Sequence, residues 1–545
     1  MKFRYSRRGL SKKEAFLQRF FEILPGLTSW ILILGLVALS IWMPLVAAIA
    51  VIAFMLAWVL RLFYLTIFLL LSYVRLSIEK DTDWLGRIRG MDRFDAYLAE
   101  IQKGCREKNW YKRISRLMHR KDLERLKQSG NIPPHSSEIF HLVVIPVVKE
   151  SPSVVAANVL SVAQNKAFAR QTVIALAVEA RAEQSVREGM TGIAKEHRDR
   201  FMELLVVEHP DGLPGEARVK GANTSYAARA AAKYFEEHKI PFENVIVSCF
   251  DADTVVSSDY FACLTYCFMN CPDRQRASFQ PVPVFHNNIW EVPGFARVIE
   301  TGSSFFQLIE TTDPERLVTF SSHSMSFKAL VDVGYWSTDM ISEDSGIFWK
   351  SYLHFDGKYQ VVPMPITLSM DIVAAGSWWG TVVGLYKQKR RWAWGVENFP
   401  LVMRGFLANK KISFYNKLRH GFKLFEGQVT WAAVPFLLTF VGWLPAISAG
   451  NEFSNTVLYY NASRFTQAIF GLSSIALLGT IIMSLWLLPK KKKRFSFFWT
   501  LIHGVEWFLI PFILVFLSAT PALDAQTRLL LNRRMEFWVS DKRSI

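Results

Sequence analysis

Asn244-Val-Ile-Val-Ser-Cys-Phe-Asp-Ala-Asp253 is an apolar, β-branched run that ends in two carboxylates one residue apart. It reads as a buried strand. Working back from it, a long Ala-rich helix is predicted over Lys220 to Glu237 and a strand over Met202 to Val207. A helix from about Gln184 precedes that strand. Before it come a strand at Thr172 to Val178, a helical stretch from Val154 and a strand at His141 to Pro146. Strands alternating with helices predict parallel pairing and an α/β domain with helices on both faces. Such folds bind ligands outside the carboxyl ends of their strands. Asp251 and Asp253 fall at that edge. Two such carboxylates can both reach one hard cation, Mg²⁺ or Mn²⁺, which takes oxygen ligands and bridges to substrate phosphates.

The rest of the chain differs in character. Over 545 residues, 51% are hydrophobic and 14% aromatic, too apolar for one soluble enzyme unless part lies in lipid. From Leu27 to Val74 the chain is almost uncharged, long enough for two spans of about 20 residues each, broken near Met43-Pro44. Arg61 interrupts the second. Further spans are expected at Val429 to Ile447 and Phe465 to Leu488. Phe497 to Thr520 is a fifth apolar stretch, but His503 and Glu506 interrupt it, which leaves a spanning and a re-entrant or interfacial reading open.

The formal charge of +17 is clustered. Lys2, Arg4, Arg7, Arg8, Lys12, Lys13 and Arg19 precede the first span, and Lys490 to Arg494 follow the fourth. Basic runs beside apolar ones mark the cytoplasmic face of a membrane and not a nucleic-acid partner. The α/β domain is then cytoplasmic in a multi-pass protein of the cell membrane. Five Cys, an odd count without a CxxC pair, give no sign of a disulfide framework or zinc ribbon. Cys263, Cys267 and Cys271, four apart, read as buried apolar residues on one helix face.

The chain therefore divides into a basic N-terminus (1–26), two transmembrane helices (27–79), an interfacial or solvated helical linker (80–135) and the α/β domain (136–370). Interfacial helices (371–425), two to three membrane segments (426–520) and a tail (521–545) follow.

Two more motifs lie between the membrane segments. Ser342-Glu343-Asp344 comes about 90 residues after Asp253 and precedes a helical stretch, where both acids also suit a helix N-terminus. Gln388, Arg391 and Trp392 share one helix face at i, i+3 and i+4. An arginine can neutralise phosphate charge, and a tryptophan can stack on a ring or sit at headgroup depth with Trp378 and Trp379.

In order and spacing, Asp251-Ala-Asp253, Ser342-Glu343-Asp344 and Gln388-x-x-Arg391-Trp392 resemble the membrane-integrated family 2 glycosyltransferases, the group that includes cellulose and hyaluronan synthases. The resemblance covers most of the chain. It implies a GT-A-like, Rossmann-type domain inserted between transmembrane helices. It makes Asp251 and Asp253, principally Asp253, the ligands of the Mg²⁺ or Mn²⁺ that holds the donor diphosphate. Asp344, with Glu343 beside it, matches the general base of a motif usually written Thr-Glu-Asp; Ser342 replaces the Thr. Glu150, Glu179, Lys220, Asn223, Gln388 and Arg391 fall at donor-binding positions, and Trp392 at the acceptor. Glu179 stands where the family usually has Asp, so the donor base is not specified. Pro521-Ala-Leu-Asp-Ala-Gln-Thr527 looks like the family's tail, with no role derivable from the residues.

The resemblance implies inverting transfer of a sugar from a nucleotide-diphosphate donor, UDP-linked in the first instance, to a growing polysaccharide. Export through the chain's own spans or a partner subunit would follow. A lipid acceptor, giving a glycolipid or lipid-linked sugar, is the alternative within the same chemistry. A catalytically inactive scaffold or transporter subunit is the alternative of another class. Retained acids at all three positions, and the lack of repeated spans, argue against it.

Overall fold

The computed structural model describes residues 3–7, 9–103, 108–448, 457–489 and 497–538. The basic run Lys490 to Arg494 lies outside them, as do Lys2, Arg8, Lys542 and Arg543.

Along the chain, helices α1 (Lys12–Trp42) and α2 (Pro44–Glu79) are separated at Met43, where Pro44 starts the second helix without needing a backbone donor. Short helices α3 (Trp84–Met91) and α4 (Phe94–Gln102) and the longer α5 (Trp110–Ser129) follow. On α5, Ser115, His119, Leu123 and Leu126 are buried, whereas Trp110, Ile114, Leu117 and Met118 are exposed. The helix thus carries apolar residues on two opposite faces and packs only one.

The α/β region alternates as the sequence predicts: β1 (Phe140–Val147), α6 (Pro152–Ala163), β2 (Thr172–Glu179), α7 (Gln184–His197), β3 (Glu203–His209), α8 (Lys220–Glu237) and β4 (Val245–Cys249). These four strands pair in parallel in the order β3-β2-β1-β4. Side chains alternate across β1 and β2. Val143, Ile145, Ile174 and Leu176 enter one core layer, Leu142, Val144, Val173 and Ala175 the other. Ala227, Ala228 and Ala231 of α8 join that second layer beside Ala175 and Ala177, small side chains that let helix and sheet approach closely.

Beyond β4 the sheet becomes mixed. The remaining elements are β5 (Val255–Val256), α9 (Tyr260–Met269), β6 (Ala277–Val284), α10 (Gly294–Glu310), β7 (Ser324–Ser326), α11 (Phe327–Asp332), α12 (Glu343–His354) and β8 (Gln360–Ser369). The full order is β3-β2-β1-β4-β7-β6-β8-β5. β7 runs antiparallel to both β4 and β6. The parallel pairing expected for β1 to β4 holds, and the reversal at β7, a strand the sequence reading did not include, has a topological reason. Residues 319–323 lie beside the Asp251 loop, at the carboxyl end of β4, so the chain enters the sheet from that edge and must run back along β4. The result is a Rossmann-like mixed sheet. Cys263 and Cys267 on α9, and Cys271 just after it, are buried, as their spacing predicts.

Helices α13 (Trp378–Ala393), α14 (Asn398–Ala408) and α15 (Phe414–Thr439) come next. The expected span from Val429 starts inside α15, which breaks at Phe440; Val441–Trp443 and Leu444–Ser448 continue as separate turns. The expected span at Phe465 lies within the helix Val457–Leu487. Among the described residues three helices are long and apolar enough to cross a membrane: Lys12–Trp42, Pro44–Glu79 and Leu501–Leu530. The fifth apolar stretch is thus helical. Of its polar interruptions, Glu506 accepts from Arg297 of α10 at 3.3 Å and pairs with His503 at 2.9 Å, and His503 Nε2 lies 3.2 Å from Ser484 Oγ. Pro521 to Thr527 gains a structural role. Gln526 donates to the Gln428 carbonyl at 2.7 Å and accepts from Ser29 at 2.7 Å, Trp30 donates to Thr527, and Asp524 pairs with Arg390 of α13 at 2.9 Å. Arg61 likewise pairs with Glu426 of α15.

His141 of β1 is fully buried, with Nε2 3.0 Å from Thr265 Oγ1. Burial pushes its imidazole from 6.5 down to about 3. The folded state keeps it neutral, while the unfolded chain protonates it below about pH 6.5. Stability present above that pH is therefore lost as pH falls toward 3, by about 1.4 kcal/mol per pH unit. The thermal unfolding midpoint of the detergent-solubilised protein should drop between pH 6.5 and 4, less steeply in His141→Gln. Equal slopes in the two proteins would remove His141 from this account.

Candidate active site

The carboxyl edge of β4 is built by hydrogen bonds that fold the Asp251 loop back on its neighbours. Asn158 of α6 donates to the Asp251 carbonyl at 2.9 Å. Ser322 accepts from the Asp251 N–H at 3.2 Å, and Ser321 Oγ donates to Asp251 Oδ2 at 2.5 Å. Asp253 is almost fully buried. Its Oδ2 accepts the Asp371 N–H at 2.8 Å, and Asn287 donates both to the Asp253 carbonyl at 2.9 Å and to Asp371 Oδ1 at 2.8 Å.

Lys220, the first residue of α8, points its ammonium into this edge. It lies 2.7 Å from Asp251 Oδ1, 3.1 Å and 3.2 Å from the two oxygens of Asp344, and 3.5 Å from Glu343 Oε1. Burial pulls the ammonium's pKa down, but Asp251, Asp344 and Glu343 outweigh it and hold it well above its ordinary value. Glu343 is pushed up to about 8, by burial first and by the neighbouring Asp344 carboxylate second, with Lys220 opposing. His323, buried beside Asp344 at 3.9 Å, is pushed down by burial. Sequence positions 220, 251 and 344 thus form one cluster.

Gly221 explains why α8 can start so close. A Cβ there would lie 2.3 Å from the Ser337 carbonyl oxygen and 3.1 Å from Glu343 Cβ. Only a residue without a side chain lets the first turn of α8 touch the Ser342-Glu343-Asp344 segment.

The remaining predicted residues are distributed as follows. Glu150 accepts from the Val148 and Lys149 N–H groups at 2.7 Å and 3.0 Å, shaping the loop after β1. Glu179 ends β2 and pairs with Arg181; both line a cavity of about 140 Å³ with His209, Asp211, Glu216 and Arg218. Asn223 is buried and donates to the Ala177 carbonyl at 2.7 Å, tying α8 to β2. Gln388 is buried on α13. Arg391 has its guanidinium 5.2 Å from the ring centre of Phe537. Trp392 packs against Phe285 and Phe320, and the Lys389 ammonium sits 3.8 Å from its ring centre. Lys389 is held by Glu300 and Ser303 of α10, each at 2.8 Å. Phe320 and Ser321, adjacent in the chain, therefore touch Trp392 and Asp251 respectively, which brings the α13 motif to the β4 edge.

Several contributors carry no short-range sequence signal. Ser321, Asn287, Asp371, Lys389 and Glu397 reach the site only through tertiary contacts. Glu397 is buried and accepts four hydrogen bonds, and burial pushes its carboxyl up to about 7 against those bonds.

As a cation site, Asp251 and Asp253 offer hard carboxylate oxygens at one strand end, a donor set that fits Mg²⁺ or Mn²⁺ completed by substrate phosphate. The Lys220 ammonium on Asp251 shows that the edge stabilises positive charge. Among the described residues no group of three or more His, Cys, Asp or Glu could hold a metal by itself, so the phosphates would have to complete the coordination.

A family model described as Glycosyl transferase family group 2 matches residues 246–522, just over half of the chain. The chain belongs to that family. As a group 2 glycosyltransferase it is 30% identical over 252 residues to a poly-β-1,6-N-acetyl-D-glucosamine synthase of Staphylococcus epidermidis, covering 42% of this chain and 52% of that one. It is 32% identical over 181 residues to the synthase of the same name from Staphylococcus aureus strain COL, covering 30% and 38%. The chain thus aligns with about half or less of the length of these curated relatives. Among solved structures it is similar to a mannosyltransferase, PcManGT, from Pyrobaculum calidifontis in complex with GDP-Man and Mn²⁺. That similarity has a TM-score of 0.39 and 14% identity, over 67% of this chain and 93% of that one. Staphylococcus aureus TarS 1–349 in complex with UDP gives a TM-score of 0.33 and 11% identity, over 74% and 95%.

Gly221→Ala should push the start of α8 away from Glu343 and displace Lys220. A shift of this kind costs about 100-fold in rate where positioning controls a reaction. Sugar transfer by the purified variant, at unchanged protein yield, measures it; wild-type turnover would show that the close approach is dispensable.

Proposed function

We propose that this protein is an inverting glycosyltransferase that moves a sugar from a nucleotide-diphosphate donor to the end of a growing polysaccharide at the cytoplasmic face of the membrane. The observation that carries the reading is the convergence of Asp251, Asp344 and Lys220 within hydrogen-bonding distance, with Trp392 joined to the same edge through Phe320 and Ser321.

In this reading Asp344 takes the proton of an acceptor hydroxyl while that oxygen attacks the anomeric carbon and the sugar–phosphate bond breaks. Attack opposite the departing diphosphate inverts the anomeric centre. Asp251 and Asp253 would hold the divalent cation, which would supply charge stabilisation to the departing diphosphate. Arg391 adds positive charge on the phosphate side, and Lys220 keeps Asp251 and Asp344 at a fixed spacing until the donor enters. The cavity at Glu179 and Arg181 is the position for the nucleoside, and Trp392 the position for the acceptor end. The donor to try first is UDP-N-acetylglucosamine, because the curated relatives are named for a polymer of that sugar. The basic N-terminus before two apolar helices supports a cytoplasmic domain, and export of the product would need the spans or a partner subunit.

Transfer should vanish in excess chelator and return with Mg²⁺ or Mn²⁺, and Asp253→Ala should lose it at unchanged folding. Full turnover without a divalent cation would remove the metal from the reaction.

Asp344→Asn should bind donor normally and transfer about 100-fold or more slowly, as loss of a general base predicts. The product of the wild-type protein, sized and extracted, tests the acceptor. A long, water-soluble polymer is expected, whereas a single sugar on an organic-extractable lipid would replace the polymer reading with the glycolipid one.

A further inference from the structure

Ser342 stands immediately before α12, where a serine hydroxyl ordinarily accepts from a helix N–H. Here it makes no such cap. Its Oγ donates instead to Glu397 Oε1 at 2.8 Å. The same oxygen accepts the N–H groups of Ile341 and Ser342, each at 2.8 Å. The other carboxylate oxygen accepts the Trp394 indole N–H at 3.0 Å. Asn398, the next residue, donates to Ser342 Oγ at 3.0 Å and to Ser345 Oγ at 2.9 Å. Glu397 is 1% exposed and belongs to the turn Trp394–Glu397 that continues α13. Four donors aimed at one buried carboxyl group use both of its oxygens as acceptors.

These contacts join two segments more than fifty residues apart in the chain. One carries Arg391 and Trp392; the other begins α12 and carries Glu343 and Asp344 in its first turn. Thr319, one residue before Phe320, adds a bond from Oγ1 to the Asp344 carbonyl at 2.6 Å.

We infer that Glu397 is a positioning residue: it holds the Ile341–Ser342 backbone so that the Asp344 carboxylate keeps a fixed place relative to the helix bearing Arg391 and Trp392. This rests on Asp344 being the base proposed above. Glu397 itself touches no reacting atom. Its effect is on the geometry of proton removal and not on donor capture, so it belongs to kcat and not to donor affinity.

The test uses the full-length protein in detergent, with UDP-N-acetylglucosamine as donor and UDP as binding probe. Glu397→Leu removes every acceptor and should lower kcat about 100-fold, the cost of a misplacement of about 1 Å. UDP affinity and donor KM should stay within about 2-fold, a change worth well under 1.4 kcal/mol in binding. Glu397→Gln keeps one oxygen for Ile341 and Ser342 but sets an amide N–H against the Trp394 indole N–H. It should lose activity, and adding Trp394→Phe, which removes that indole donor, should restore part of it. If the leucine variant fails to fold, the glutamine variant and its Trp394→Phe partner carry the test. Wild-type kcat in Glu397→Leu or Glu397→Gln, loss of UDP binding in step with kcat, or no recovery in the double variant would each overturn the inference. Asp344→Asn separates the two levels. Full transfer in that variant rejects the base itself, whereas an inactive Asp344→Asn beside fully active Glu397 variants rejects only the positioning role.

Discussion

A buried ammonium surrounded by three carboxyl groups is the constraint around which the rest is arranged. Removing Lys220 would leave the Asp251 and Asp344 carboxylates facing one another beside the buried Glu343, where an uncompensated charge costs several kcal/mol. Its presence lets three acids from different parts of the chain share one small volume. In the reaction proposed above, the same arrangement would suit a site that receives a divalent cation and a diphosphate, because the acids are already gathered and compensated. Gly221 is the steric counterpart of that electrostatic device: without a side chain it lets the helix that carries Lys220 press against Glu343.

The membrane helices are part of this architecture and not a detached anchor. Arg297 of α10 meets Glu506, and Lys389 of α13 meets Glu300 of α10 in a fully buried pair. α10 is therefore fixed both to the last apolar helix and to the helix that carries Trp392. Asp524 reaches α13 through Arg390, and Gln526 and Thr527 bond to α1 and to the chain near Gln428. Of the polar residues that break the hydrophobic pattern of the last helix, Glu506 meets Arg297 of the α/β domain, and His503 is held by Glu506 and by Ser484. An ionisable residue in an apolar helix needs such a partner.

The alternation of strands and helices, the boundaries of β1, β2 and α8, and the position of Asp251 and Asp253 at a strand end were all determined by local pattern: β-branched runs, an Ala-rich helix, and carboxylates where a strand stops. The helix break at Pro44 was equally local. So was the burial of Cys263, Cys267 and Cys271, which follows from their spacing. What the tertiary structure alone decided is pairing over long distances. β7 enters between β4 and β6 in the reverse sense because its chain arrives at the carboxyl edge, and three serine-rich residues give no periodicity from which to read that. Lys220 meets Asp251 and Asp344 across 31 and 124 residues, and Glu397 meets Ser342 across 55. Such contacts depend on where separate elements pack, a sum over the whole core, whereas residue type and spacing report only on the neighbours along one helix or strand.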